Sequence, residues 1–188
     1  MGLRTARETT AAAQERYTRP AIFLHWGMTA IIVGLIGLGF YMGQLPPSPE
    51  KYALYELHKS LGVVTVLLLF GRFIWRAANT PPELPTAYSQ LLRTASHLGH
   101  FALYVLMLAV PVSGWVMSAA YGRPASLFGV PIPPPVGKSE DLAELWGTIH
   151  FALGSALALV IAGHTLFALK HHFIDKDGLL WRMWVRCP

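Results

Sequence analysis

Residues Leu145–Leu169 read LWGTIHFALGSALALVIAGHTLFAL, an apolar run that holds two histidines, His150 and His164, fourteen positions apart. On an α-helix fourteen residues rise roughly 21 Å and complete almost four whole turns. Both imidazoles therefore lie on nearly one face, at two depths. The run is long enough to cross the hydrocarbon core of a bilayer, which needs about 20 residues. An ionisable side chain inside such a segment is costly and asks for a functional reason.

Outward from this run, three further stretches have the same character: Ala21 to Gly43, Leu57 to Trp75 and Ala95 to Tyr121. Proline-rich breaks separate the stretches, at Pro46-Pro47-Ser48-Pro49, at Pro81-Pro82-Glu83-Leu84-Pro85 and at Pro131-Ile132-Pro133-Pro134-Pro135. Proline cannot continue a helix and pushes its predecessor toward extended backbone. Pro111 is expected to kink the third stretch. The chain is 53% hydrophobic and 13% charged, with a mean hydropathy of +0.42. A soluble domain carries about 25% charged residues, so lipid is the expected solvent. The first apolar stretch begins too late and runs too long for a secretory signal. The single cysteine, Cys187, excludes a disulfide framework or a four-cysteine metal site, and no Cys-x-x-Cys-His occurs for covalent haem attachment. No compact four-ligand cluster for zinc is visible.

The reading is all-α: an integral membrane four-helix bundle, up-down-up-down, with spans at about 21–43, 57–75, 95–121 and 145–169. It divides the chain into an N-terminal tail (1–16), the four-span domain (17–175) and a C-terminal tail (176–188). Eleven basic residues (Arg4, Arg7, Arg16, Arg19, Arg72, Arg76, Arg93, Lys170, Lys176, Arg182, Arg186) flank the ends on one side, and four (Lys51, Lys59, Arg123, Lys138) the other. By the positive-inside rule both termini are cytoplasmic. The net charge of +5 is then a matter of topology, with no nucleic acid implied. Trp75, Trp146, Trp181 and Trp184 fit an interfacial belt.

Topology assigns each histidine a depth. His25, His97, His100 and His164 fall toward the cytoplasm; His58 and His150 fall toward the periplasm. Depth matching pairs His58 with His150 and His25 with His164. A neutral imidazole ligates iron through one nitrogen while the other donates a hydrogen bond that fixes the tautomer. Two such pairs suit two b-type haems stacked between facing helices. With both axial positions filled, electron transfer is the natural task. Gly27, Gly62, Gly147, Gly154 and Gly163 are positions where a flat macrocycle could approach the backbone, although glycine is frequent in membrane helices anyway. His97 and His100, one turn apart, are open to three readings: a third ligand, a quinone contact or a propionate contact. His171 and His172 read as interfacial residues, with quinone or propionate contact the alternative. Arg72 and Arg76 read as topogenic charges or propionate partners. A proton or metal transporter using the same histidines is a third class of function.

Several motifs carry a resemblance over nearly the whole chain. They are Leu24-His25-Trp26, Leu57-His58-Lys59-Ser60-Leu61-Gly62, Thr80-Pro81-Pro82, His97-Leu98-Gly99-His100, Leu127-Phe128-Gly129, Ile149-His150 with His164, and His171-His172. Together they resemble the bacterial di-haem cytochrome b-561 family, which is related to the cytochrome b subunits of nickel–iron hydrogenases. The resemblance implies two haem b groups with His25, His58, His150 and His164 as axial ligands, in a bacterial inner-membrane electron carrier linked to the quinone pool. It also implies a specific activity, superoxide oxidation at the periplasmic face with ubiquinone reduction. The alternative is a membrane anchor and relay for a periplasmic dehydrogenase or c-type cytochrome, with no substrate of its own. The loop 122–144 is expected to cap the periplasmic haem.

Overall fold

A computed structural model describes residues 16–82 and 88–184. Arg4, Arg7, Arg186, Cys187 and Glu83-Leu84-Pro85 lie outside the described residues. Four long helices dominate: α1 (Arg19–Gln44), α2 (Pro49–Ala78), α3 (Gln90–Ala120) and α4 (Glu140–Lys170). A π-helical turn, His171–Asp175, continues α4, and a short 3₁₀ turn, Leu180–Met183, follows. With 26 to 31 residues each, the helices run to about 40 Å or more, beyond the roughly 30 Å of hydrocarbon. Their surfaces carry large apolar side chains such as Phe23, Ile74, Leu91, Phe101, Leu159 and Leu166. This is a four-helix membrane bundle whose outer face is solvated by lipid.

The helix starts explain why the helices outrun the apolar stretches. Ser48, Ser89 and Ser139 cap α2, α3 and α4, each side chain accepting from the backbone N–H three residues on. Pro49 sits in the first turn of α2, where its missing N–H costs nothing. Glu50, Glu140 and Asp141 meet the positive helix ends, and Arg76 and Lys170 the negative ones. Polar residues therefore extend α2 back to Pro49 and α4 back to Glu140, ahead of their apolar runs. Pro111 lies within α3, which continues through it.

Packing is close within two helical hairpins, α1 with α2 and α3 with α4, and sparse between α1 and α4. The core joins the hairpins at mid-depth. Met28, Ile32, Leu69 and Leu157 are buried together, with Ile36, Leu103, Tyr104, Met107 and Ile161 packed around them. Leu157 lies seven residues from both His150 and His164, so an apolar layer separates the two histidine levels.

At the end of the bundle near His58, the α3–α4 loop forms a two-stranded hairpin, β1 (Ser126–Leu127) and β2 (Val130–Pro131), paired antiparallel. Phe128 (φ 47°) and Gly129 (φ 92°) make the turn, the double left-handed pair that matches strand twist. Ser60, 2% exposed, pins it: its hydroxyl donates to the Ser126 carbonyl (3.1 Å) and accepts from the Phe128 N–H (3.0 Å). Lys59 donates to the carbonyls of Arg123 and Pro124, and the Ser126 hydroxyl donates to Glu56 (3.1 Å). At the opposite end, residues 176–184, part of the stretch read as a tail, fold back on α1. The Trp26 indole donates to the Met183 carbonyl (2.8 Å), and the Tyr17 N–H to the Arg182 carbonyl (3.2 Å).

Ser60→Ala should leave a part-buried carbonyl and N–H without partners, at a cost of about 1–3 kcal/mol. Limited proteolysis of the detergent-solubilised protein should then cut within 122–135 several-fold faster than in the parent. An unchanged cleavage rate would mean that Lys59 and Glu56 hold the hairpin without Ser60.

Candidate functional site

Two groups of histidines occupy the seam between the helical hairpins. At the hairpin end, His58 on α2 meets His150 on α4 with ring centroids 6.3 Å apart and planes at 82°. The α3 backbone fixes the chemistry of His150. Its Nδ1 lies 3.0 Å from the Val110 carbonyl and 3.0 Å from the Ser113 hydroxyl oxygen. The Ser113 hydroxyl itself donates to Val110 (2.7 Å). Nδ1 therefore carries the proton and Nε2 keeps a free lone pair. The ring fits because residue 114 is glycine: a Cβ there would stand 2.9 Å from Cε1 of His150. At Gly39 a Cβ would stand 3.5 Å from Cε1 of His58, an ordinary contact, so that position does not demand glycine. The Nδ1 of His58 is buried and has no hydrogen-bond partner among the described residues.

These residues fit a metal held between two imidazoles. With metal–imidazole bonds of about 2 Å, the two nitrogens across one metal stand about 4 Å apart and the ring centroids about 6 Å. The His58–His150 separation has that size. A carbonyl-anchored Nδ1–H with Nε2 turned toward the metal is the usual arrangement around a ligating histidine.

At the other level three histidines converge. The rings of His100 and His164 stand 5.5 Å apart at 67°, and His25 is close enough to both, and to Arg72, to interact electrostatically. His100 and His97 are exposed at the chain surface, and His25 and His164 are half-buried. Beside them is a small cleft of about 50 Å³, lined by Arg16, Arg72, Arg76, Trp75, Asn79 and Tyr104 among others, with no acidic residue among the described residues that line it. Arg72 reaches the Tyr104 hydroxyl and the Ala21 carbonyl, each at 3.4 Å. The cleft is far smaller than the several hundred Å³ of a typical organic-ligand pocket. Its size and charge suit a carboxylate rather than a quinone ring.

His171 differs from the interfacial reading. It is 4% exposed, its Nδ1 faces Asp177 (2.5 Å) and Asp175 (3.0 Å), and its Nε2 is buried without a partner among the described residues. The Tyr88 hydroxyl also donates to Asp177. His172 stacks edge-on against Trp181, centroids 5.4 Å apart. Sequence reasoning missed Ser113, Gly114, Tyr88 and Asp177. Of the five glycines it singled out, Gly147 meets Met117 and Tyr121, and the other four have no side chain of this chain within 4 Å. The close approach to a histidine ring belongs to Gly114.

Gly114→Ala should cost about 1–3 kcal/mol, because neither a helix backbone nor a ring held at 3.0 Å yields cheaply. Gly43→Ala, where nothing lies within 4 Å, should cost nothing. Thermal melting of the two variants in detergent checks the contrast.

Asp177 sets a pH limit on the docked C-terminal segment. Burial pushes its carboxyl upward, but the Tyr88 hydroxyl, the Leu179 N–H and His171 outweigh this and hold it below the ordinary range. Burial and the bond to Asp177 raise Tyr88 in turn. A carboxylate held low adds stability above about pH 4 and loses it as pH falls further. Hydrogen exchange in 177–184 should therefore accelerate below that pH beyond its intrinsic rate, and Asp177→Asn should abolish the transition.

The chain matches the family profile described as prokaryotic cytochrome b561 over residues 16–185. It is 37% identical to cytochrome b561 homolog 2 of Escherichia coli K12 across 171 residues, covering 90% of this chain and 91% of the relative. It is 30% identical to cytochrome b561 homolog 1 of the same organism, covering 91% and 98%. It is 26% identical to a probable superoxide oxidase of Yersinia pestis, covering 90% and 96%. A four-helix membrane bundle with imidazoles facing one another across its seam, matched from end to end in this way, belongs to the prokaryotic cytochrome b561 family, membrane electron-transfer proteins that bind b-type haem.

Proposed function

We propose that this protein holds two haem b groups and carries electrons across the inner membrane between the periplasmic side and the quinone pool. His58 and His150 hold the outer haem, and His25 and His164 the inner one. Bound haem supplies reversible one-electron chemistry at each level. The observation that carries the reading is the His58–His150 pair, at metal-bridging separation with its protonated Nδ1 anchored. A second cluster is built around His164, fourteen residues further along the same helix face. Arg72 and Arg76, in the acid-free cleft beside His25, neutralise the carboxylates of the inner group. The positive-inside count supports cytoplasmic termini, which makes the hairpin end periplasmic.

The favoured activity is oxidation of superoxide at the periplasmic end coupled to ubiquinone reduction. Arg123 and Lys138 provide positive potential there for a small anion. Quinone reduction takes up two protons. His97, exposed, and His172, half-buried, stand at the cytoplasmic end, where an imidazole can pass protons from water. His100 and His171 complete the surroundings of that quinone site. The second reading, an anchor and relay for a periplasmic dehydrogenase or c-type cytochrome, draws on the hairpin tip. Phe128 and Val130 are 66% and 65% exposed there on a pinned turn.

A pyridine haemochrome assay should return two haems per chain. His58→Ala and His150→Ala should lose one spectral component, and His25→Ala and His164→Ala the other; loss of the same component from both sets overturns the pairing. Purified protein given superoxide should reduce a ubiquinone analogue without partners. Full haem content with no such turnover would favour the anchor.

A further inference from the structure

We infer that the turn of the α3–α4 hairpin is a membrane wedge, with Phe128 and Val130 seated in lipid where headgroups meet acyl chains. The hairpin descends along one stripe of α2. Arg123 lies over the Tyr52 ring, 4.1 Å from its centroid. Further along, the Ser126 hydroxyl donates to Glu56 (3.1 Å), and the Phe128 N–H donates to the Ser60 hydroxyl (3.0 Å). Tyr52, Glu56 and Ser60 follow one another at i, i+4 and i+8, which is about 12 Å of helix. α2 starts at Pro49 and runs into the bundle, so each contact lies deeper than the one before. Ser60 is three residues beyond Leu57, where the apolar stretch of α2 begins, or about 4.5 Å inside it. The turn therefore reaches the depth at which lipid replaces water around α2.

That stripe of α2 faces outward. At about 100° per residue, His58 lies roughly 200° round the helix from Ser60, and the core residue Leu69 lies half a turn round. Leu67 and Ile74, seven and fourteen residues on and nearly in line with Ser60, are exposed on the lipid face. α2 thus stands between the turn and the His58–His150 pair, and the exposed Phe128 and Val130 side chains continue the lipid-facing surface. The composition agrees. From Leu127 to Val136 no side chain is polar, and Arg123 and Lys138 are the nearest charges on either side. Turns over water draw on polar residues, whereas an apolar segment bounded by cations suits the membrane interface. The backbone is prepared as well. Val130 pairs with Leu127, the N–H groups of Phe128 and Ile132 have acceptors, and Pro131, Pro133, Pro134 and Pro135 have no N–H to satisfy. Few donors are left to demand water in a layer where an unpaired one is costly. A soluble redox partner docking on this tip would have to displace lipid from it.

The test is a nitroxide label on Phe128→Cys, in a chain that also carries Cys187→Ser so that the label has one site. The purified protein is placed in bilayers of phosphatidylcholine and phosphatidylglycerol. Collision rates of the label with oxygen, which concentrates in lipid, and with a water-soluble nickel chelate are then compared. Leu67→Cys on the lipid face and Lys138→Cys beyond the apolar run serve as references. The oxygen-to-nickel ratio at position 128 should stand several-fold above that at position 138, toward the value at position 67. A ratio equal to that at position 138 puts the tip in water, open to a soluble partner, and overturns the inference. A label shielded from both probes means that protein covers the tip, whether a second copy or the bundle itself, and overturns it as well. If Phe128→Cys does not accumulate in membranes, Val130→Cys carries the label under the same expectations.

Discussion

A neutral imidazole in an apolar bundle has one nitrogen that must give a hydrogen bond and one that must receive something, and neither can turn to water. At His150 the first demand is met by a helix backbone. The Val110 carbonyl takes the Nδ1 proton at 3.0 Å, with Ser113 beside it. That one bond settles the tautomer and sets the ring on the glycine face of α3, with the His58 ring 6.3 Å away across the seam. The rest of the arrangement follows from it. α3 and α4 must lie close, which they do along their length. The residue facing the ring must lack a Cβ, and it does.

The seam itself expresses a division of labour between tight and loose packing. Each hairpin is closely packed, and α1 and α4 scarcely touch. The histidines of both levels project from helices on either side of this weaker boundary. Between the levels, Leu157 and its neighbours Met28, Ile32 and Leu69 close the bundle with apolar side chains. A chain that held its helices together uniformly would leave no place for a flat cofactor. One that was loose throughout would not hold the imidazoles at a fixed separation.

Much of this was legible in the sequence, because hydropathy and helical rise are local properties. The four apolar stretches and the proline breaks mark the bundle, and the fourteen-residue interval places His150 and His164 on one face at two depths. The helix starts were less legible. Hydropathy marks where lipid begins, whereas Ser48, Pro49 and Ser139 mark where hydrogen bonding begins, several residues earlier. Contacts between distant segments were not legible. Nothing near Gly114 in sequence distinguishes it from Gly154, since the difference lies in which ring of another helix faces it. Asp177 and Tyr88 are separated by two spans and a loop, so their bond, and the burial of His171 behind it, depended on a fold-back that composition does not encode. At the other level, helical depth paired His25 with His164, whereas the fold also brings the exposed His100 ring to 5.5 Å from His164.

The contact of the C-terminal segment with α1 also bears on how the protein is made. Trp26 donates to a carbonyl 157 positions further along the chain. At a synthesis rate of about 5–20 residues per second, α1 stands in the membrane for roughly ten to thirty seconds before its partner emerges. Throughout that interval this end of the first helix is open, with the Tyr17 N–H and the Trp26 indole served by water or headgroups. Arg182 and Met183, once they emerge, displace them. Closure of this end therefore waits for the segment that follows α4, and the level of His25 and His164 remains accessible from that side until then.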